Sequence, residues 1–131
     1  MRLILILLVG FVASATMGCS GNKVDSNEKL RLALVDFRQF LESLESDGVK
    51  PPKKMAEFLP VEPMAPVASE YIKNGELVYF WGSGLSSSGN QIIAYEKGAE
   101  TNGGWVLFQN GEVQNVPSEQ FGASAKAMPS K

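Results

Sequence analysis

Histidine is absent from the 131 residues, and cysteine occurs once, at Cys19. The first absence removes Ser-His triads, imidazole metal sites and the commonest general base. The second leaves no partner for a disulfide within the chain, so packing must hold the fold together. Nor is there an excess of positive charge. Twelve basic against fourteen acidic residues give a net charge of −2, which offers nucleic acid no basic face. The apolar stretch Leu3 to Val12 is soon interrupted by Ser14, Thr16 and Gly18, well short of the roughly 20 apolar residues of a bilayer-spanning helix. The glycine-rich run "GSGLSSSG" lacks the Gly-Lys-Ser/Thr ending of a phosphate-binding loop.

What is present at the start is a secretory pattern. Met1-Arg2 supplies a positive segment and Leu3 to Val12 an apolar one, as in the n- and h-regions of a signal peptide. Thr16-Met17-Gly18-Cys19 then resembles the lipobox of bacterial lipoproteins, departing from it at Thr16, where a leucine-like residue is usual. The resemblance implies cleavage before Cys19, a diacylglyceryl group on its thiol and an acylated amine. A thiolate is the nucleophile that the thioether bond requires. Each buried lipid CH₂ contributes about 0.8 kcal/mol, and two chains suffice for stable anchoring. The competing expectation is an ordinary signal peptide cut at a nearby small residue, leaving a free thiol. Ser20 after the cysteine, by resemblance to lipoprotein sorting, points to the outer membrane, facing the periplasm or the surface.

This organisation predicts a signal peptide over 1–18, a lipidated cysteine and tether over 19–27, a globular head over 28–121 and a disordered tail over 122–131. Loss of residues 1–18 leaves 113 of 131 residues and takes the charge from −2 to −3, a normal size for one domain. The eight residues Ser20 to Asn27 reach about 27 Å when fully extended, which keeps the head near the lipid.

Asp25 and Glu28 have capping-box spacing, and Leu30, Leu34, Phe37, Leu41 and Leu44 follow at helical intervals with Ala33 and Phe40 beside them. The spacing predicts one amphipathic helix ending at Asp47-Gly48, where glycine takes the left-handed position. Its charges oppose the macrodipole, with Lys29 and Arg31 early and Glu42, Glu45 and Asp47 late. Such a helix needs a partner surface, here its own sheet, since barely two heptads are available for a coiled coil. The following "VKPPKKMAEFLPVEPMAP" reads as mostly irregular. A short helix over 53–59 would bury Met55, Phe58 and Leu59. A proline-rich ligand for another domain is the alternative.

Four strands are expected, over 76–81, 91–96, 105–109 and 112–116. Asn110-Gly111 signals a two-residue type I′ turn. That turn would set Phe108 opposite Val113, Leu107 opposite Gln114, Val106 opposite Asn115 and Trp105 opposite Val116. The face carrying Val106, Phe108 and Val113 would meet the helix. "GSGLSSSGN" over 82–90 reads as a flexible hairpin loop. The fold class is therefore α+β, one long N-terminal amphipathic helix packed on a small, mainly antiparallel sheet of about four strands.

The helix, "KPPKKMAEF" and "IIAYEKGAETNGGWVLFQNGEVQNV" together resemble the head domains of pseudopilin-like H-x9-D-G proteins of planctomycete-type bacteria. The match rests on Tyr95-Glu96, Gly103-Gly104, Val106-Leu107-Phe108 and Gly111 with Val113. It covers roughly residues 28 to 116, with the part specific to the motif confined to about 91 to 116. The resemblance implies a pseudopilin-like head and an accessory role in a secretion or surface-assembly apparatus. The chain departs from the family in having no histidine, in Asn110 where the family has aspartate and in Glu112 where it often has histidine. Roles of those histidines do not carry over.

No residue pair stands out as catalytic, and no cofactor is expected beyond the lipid on Cys19. Glu96, Glu100 and Asn102 could offer oxygens to calcium, as loops of some pseudopilins do, but without EF-hand spacing, and solvated carboxylates are the plainer reading. Two function classes follow. One is a membrane-anchored, non-enzymatic lipoprotein of the cell envelope with a structural or protein-interaction role. The other binds a small ligand or glycan through Tyr79, Trp81, Tyr95, Trp105 and the 82–90 loop, and exposure of Trp81 and Trp105 separates the two.

Overall fold

Helix α1 spans Ser26–Ser46 and buries Ala33, Leu34, Phe37, Phe40, Leu41 and Leu44 along one stripe, the face that the apolar spacing marked. The computed structural model describes residues 26–124 and Lys126. The signal peptide, Cys19, most of the tether and the Asp25 cap lie outside the described residues. Glu28 makes an ion pair with Arg31 one turn on. At the other end the Gly48 N–H donates to Glu45 O at 3.1 Å and the Val49 N–H to Leu44 O at 2.8 Å. Gly48 sits at φ +68°, so the helix ends in a Schellman motif with glycine where it was expected. The apolar stripe is consumed within the chain, against its own sheet.

The proline-rich segment is more regular than expected. Helix α2 covers Met55–Phe58 and passes into a 3₁₀ turn over Leu59–Met64 that contains Pro63. Phe58 is fully buried, and Met55 packs against the core. Leu59 points outward instead, 44% exposed, because the tighter winding that begins there rotates it off the buried face. Helix α3, Pro66–Lys73, then starts with proline in its first turn, where the missing N–H costs nothing. Its cap comes from far away in the chain: Asp36 Oδ2 on α1 accepts the N–H groups of Val67 at 2.9 Å and Ala68 at 3.0 Å. A carboxylate there satisfies two orphan donors and complements the helix dipole.

The strands are β1 (Leu77–Tyr79), β2 (Ile92–Glu96), β3 (Gly104–Phe108) and β4 (Val113–Val116), close to the expected ranges. They form one antiparallel sheet in the order β1-β2-β3-β4. Short helices α4 (Ala99–Asn102) and α5 (Ser118–Ala123) complete the fold. The head boundary placed after residue 121 falls inside α5.

The β3–β4 register differs by one residue from the expected one, with Leu107 opposite Val113, Val106 opposite Gln114, Trp105 opposite Asn115 and Gly104 opposite Val116. The cause lies in the turn. Gly111 is left-handed at φ +92° while Asn110 keeps a negative φ, so the turn is not type I′. The Gly111 N–H reaches Phe108 O at 2.9 Å, and the Phe108 N–H reaches Glu112 O at 2.8 Å. This is a three-residue loop closed by a glycine bulge. Asn110 spends its side chain on the Glu112 N–H at 3.0 Å, which holds it out of the left-handed region.

The face assignment is corrected with it. Leu107 belongs to the core under α1, with Trp105 and Val113 packed at its margin, while Val106 lies on the opposite side. There Ile92, Ala99, Val106, Val116 and Phe121 form a second, smaller cluster, with Phe108 packed against it. An irregularity in β2 between Ile92 and Ala94 lets Ile92 face this cluster while Ile93 and Ala94 both face the larger one, as a bulge re-aims side chains.

The 82–90 loop carries no strand or helix, as expected, but it is tied down rather than free. The Gly82 N–H donates to Pro52 O and the Ser86 N–H to Gln109 O, both at 2.8 Å. The Tyr79 hydroxyl donates to Ser83 O.

Candidate functional site

Four chain segments meet at the end of the molecule where α1 begins. The first turn of α1 brings Lys29 and Leu30, α3 brings Tyr71, the residue before β1 is Glu76, and β2 runs out through Glu96 into Lys97. Together with Ser26 they line a cavity of about 450 Å³, within the size range of small-molecule sites. The antiparallel β1–β2 pairing sets Leu77 opposite Glu96, and the Lys97 N–H donates to Glu76 O at 2.9 Å. The two acidic residues and Lys97 are thereby held side by side.

Glu96 is half-buried, and its Oε2 accepts the Trp105 N–H at 3.0 Å. A Cβ at Gly104 would meet that oxygen at 2.5 Å, so a larger residue there would push the carboxylate aside. The other Glu96 oxygen makes no hydrogen bond with the described residues. Lys29, Glu76 and Lys97 are exposed, and among the described residues none of their side chains makes an ion pair or hydrogen bond, the Glu76 bond to Asn74 Oδ1 running from its backbone N–H. The site thus holds two cations and two anions not neutralised against each other.

The remaining residues singled out from the sequence are placed as follows. Glu100 and Asn102 are exposed on α4, one connection beyond Glu96. Among the described residues no three of His, Cys, Asp and Glu gather in a way that could hold a metal ion. Tyr95 is half-buried between Phe80 and Phe121, at ring distances of 5.7 and 5.1 Å. Burial first, and the Glu100 charge second, raise its phenol above the ordinary range. Tyr79 is buried in the larger core, 4.7 Å from the Phe37 ring, and burial lifts its phenol far above the usual value. Trp81 packs on Tyr79 and Phe58 at 5.2 and 6.2 Å. Trp105 is half-buried, and its indole N–H donates to Asn27. The four aromatics do not form a common open surface: Tyr79 and Trp81 border the α1 core, while Tyr95 faces the other side of the sheet.

A second cavity, of about 290 Å³, lies at the far end of α1 between Leu41, Val49, Pro51, Gly84 and Leu85, with Glu45 and Lys50 at its sides. It uses the 82–90 loop as a wall.

Sequence reasoning missed the first cavity because its residues are scattered from 26 to 97 and none is chemically conspicuous alone. The one local signal was the Tyr95-Glu96-Lys97 run at a strand end. The described residues contain no helix long and apolar enough to cross a membrane. No family model, no curated protein and no solved structure matches the chain.

Proposed function

We propose that this protein is a lipid-anchored, non-enzymatic module of the bacterial cell envelope, with a structural or protein-interaction role. The observation that carries the reading is the run from Arg2 through the apolar Leu3 to Val12 to Gly18-Cys19, a signal sequence ending at a lipidation cysteine. Helix α1 starts at Ser26, seven residues beyond that cysteine, so a lipid there tethers the head at the membrane surface. The outer membrane is the proposed location, on the strength of Ser20.

A long first helix lying on a four-stranded antiparallel sheet supports the likeness to pseudopilin heads, and with it an accessory place in a secretion or surface-assembly apparatus. Leu59, Met64 and Val67 are each more than 40% exposed along one short stretch, and such a run of apolar side chains suits a protein partner. The ligand-binding alternative, as a site built on the aromatics and the 82–90 loop, draws support from the small cavity beside Gly84 and Leu85. The half-buried, core-packed Trp81 and Trp105 weigh against an aromatic glycan platform.

The test is metabolic labelling with a fatty acid. The wild-type chain should take up label and fractionate with membranes, and Cys19→Ser should do neither. Label retained by Cys19→Ser would remove the lipoprotein reading.

A further inference from the structure

We infer that the cavity at the start of α1 is a docking site for the phosphoethanolamine headgroup of a membrane phospholipid, holding the head in one orientation on the bilayer. The inference rests on the lipid-anchor reading for its geometry. Its chemistry comes from the cavity alone.

Position supplies the first reason. Ser26 lines the cavity, and the seven residues Cys19 to Asp25 span at most about 24 Å even when fully extended. A lipid on Cys19 therefore brings this end of the molecule to the headgroup layer, while the Val49–Leu85 cavity sits at the opposite end of a 21-residue helix, about 30 Å away.

Charge supplies the second. Lys29 and Lys97 present two ammonium groups, and Glu76 and Glu96 two carboxylates, around one concavity. An anionic headgroup such as phosphatidylglycerol would satisfy the lysines but bring the two carboxylates only neutral hydroxyl donors and no compensating positive charge. A zwitterion satisfies both sets, phosphate on the lysines and ammonium on the glutamates, by charge-assisted hydrogen bonds. Between the common zwitterions, carboxylates select the primary ammonium, which has three N–H donors. A quaternary ammonium has none and is recognised by aromatic cages, and among the described residues Tyr71 alone lines the cavity with an aromatic ring. Glu96 is pre-positioned for this role, since the Trp105 N–H fixes one of its oxygens and the other has no hydrogen-bond partner among the described residues.

The experiment is lysine acylation footprinting of the lipidated protein in bilayer discs of phosphatidylcholine, with or without phosphatidylethanolamine. Labelling at Lys29 and Lys97 is normalised to Lys53 and Lys54, exposed residues beyond the far end of α1. Phosphatidylethanolamine should protect Lys29 and Lys97 about tenfold, equivalent to about 1.4 kcal/mol, and phosphatidylglycerol should not. Glu76→Gln, at an exposed position, should lose most of that protection without unfolding. Equal labelling in the two zwitterionic lipids, or protection unchanged in Glu76→Gln, overturns the inference. The anchor is judged separately: soluble glycerophosphoethanolamine should still protect the same two lysines in Cys19→Ser. That result would uphold the cavity even if fatty-acid labelling of Cys19 failed.

Discussion

One face of the sheet is covered by a 21-residue helix that contributes six buried side chains, and the other by a six-residue helix that contributes one, Phe121. The first core joins Phe37, Phe40, Phe58 and Tyr79 in a chain of tilted and edge-on rings at 4.7 to 6.3 Å. The second rests on Phe121 against Tyr95, with Ile92, Val106 and Val116 beneath. A two-layer α+β arrangement usually leaves the far face of an antiparallel sheet to water. Here a thin third layer covers it, and the difference in thickness decides how each face responds to damage.

Phe37→Ala should do the most harm, about 3 to 5 kcal/mol, because a rigid helix and sheet cannot close the cavity left between them. Loss of most cooperative unfolding in urea is the expected outcome. Phe121→Ala should cost less, about 3 kcal/mol at the low end of that range, since a short six-residue helix can settle over the gap. Near-ultraviolet dichroism from the Tyr79–Trp81 region should survive it. Equal losses from the two substitutions would mean that the faces share one core.

The next comparison lies within the thick layer. Asp36 joins α1 to α3 through two backbone N–H groups, and Asp36→Ala should lower stability by about 1 to 2 kcal/mol, several degrees in melting temperature for a domain of this size. Asp36→Asn keeps an acceptor and should recover much of the loss. Identical behaviour of the two variants would show that the cap contributes little.

The smallest effect is a pH dependence. Burial raises the Tyr79 phenol above its unfolded value near 10, so the folded state holds its proton where the unfolded state has lost it. The stability associated with this group is complete below about pH 10 and falls as pH rises further. Tyr79→Phe should flatten that alkaline decline. A decline of unchanged steepness would place its cause elsewhere, with Tyr95 the next group to substitute.

The thick face was readable from the chain because its signals are local and periodic. The spacing of Leu34, Phe37, Leu41 and Leu44 gives the helix, and Gly48 gives its end. All four strands also declared themselves. The register did not, because it turns on whether Asn110 adopts a positive φ, and the Asn110 side chain settles that by bonding to the Glu112 N–H. The cap of α3 was equally hidden, since Asp36 acts 31 residues ahead of Val67. Phe121 is a lone aromatic in a short polar stretch, with no periodicity to mark it as core. The cavity at the start of α1 is assembled by topology from four segments, and no window of sequence contains it.

The proposed position at the membrane and the orientation of the head there both depend on a lipid at Cys19. Intact-mass spectrometry of the protein extracted from membranes tests it directly. The predicted result is a chain beginning at Cys19 that carries the added mass of a diacylglyceryl group and an N-acyl chain. A chain with an unmodified Cys19 thiol, whether cut elsewhere or still bearing residues 1–18, would contradict it.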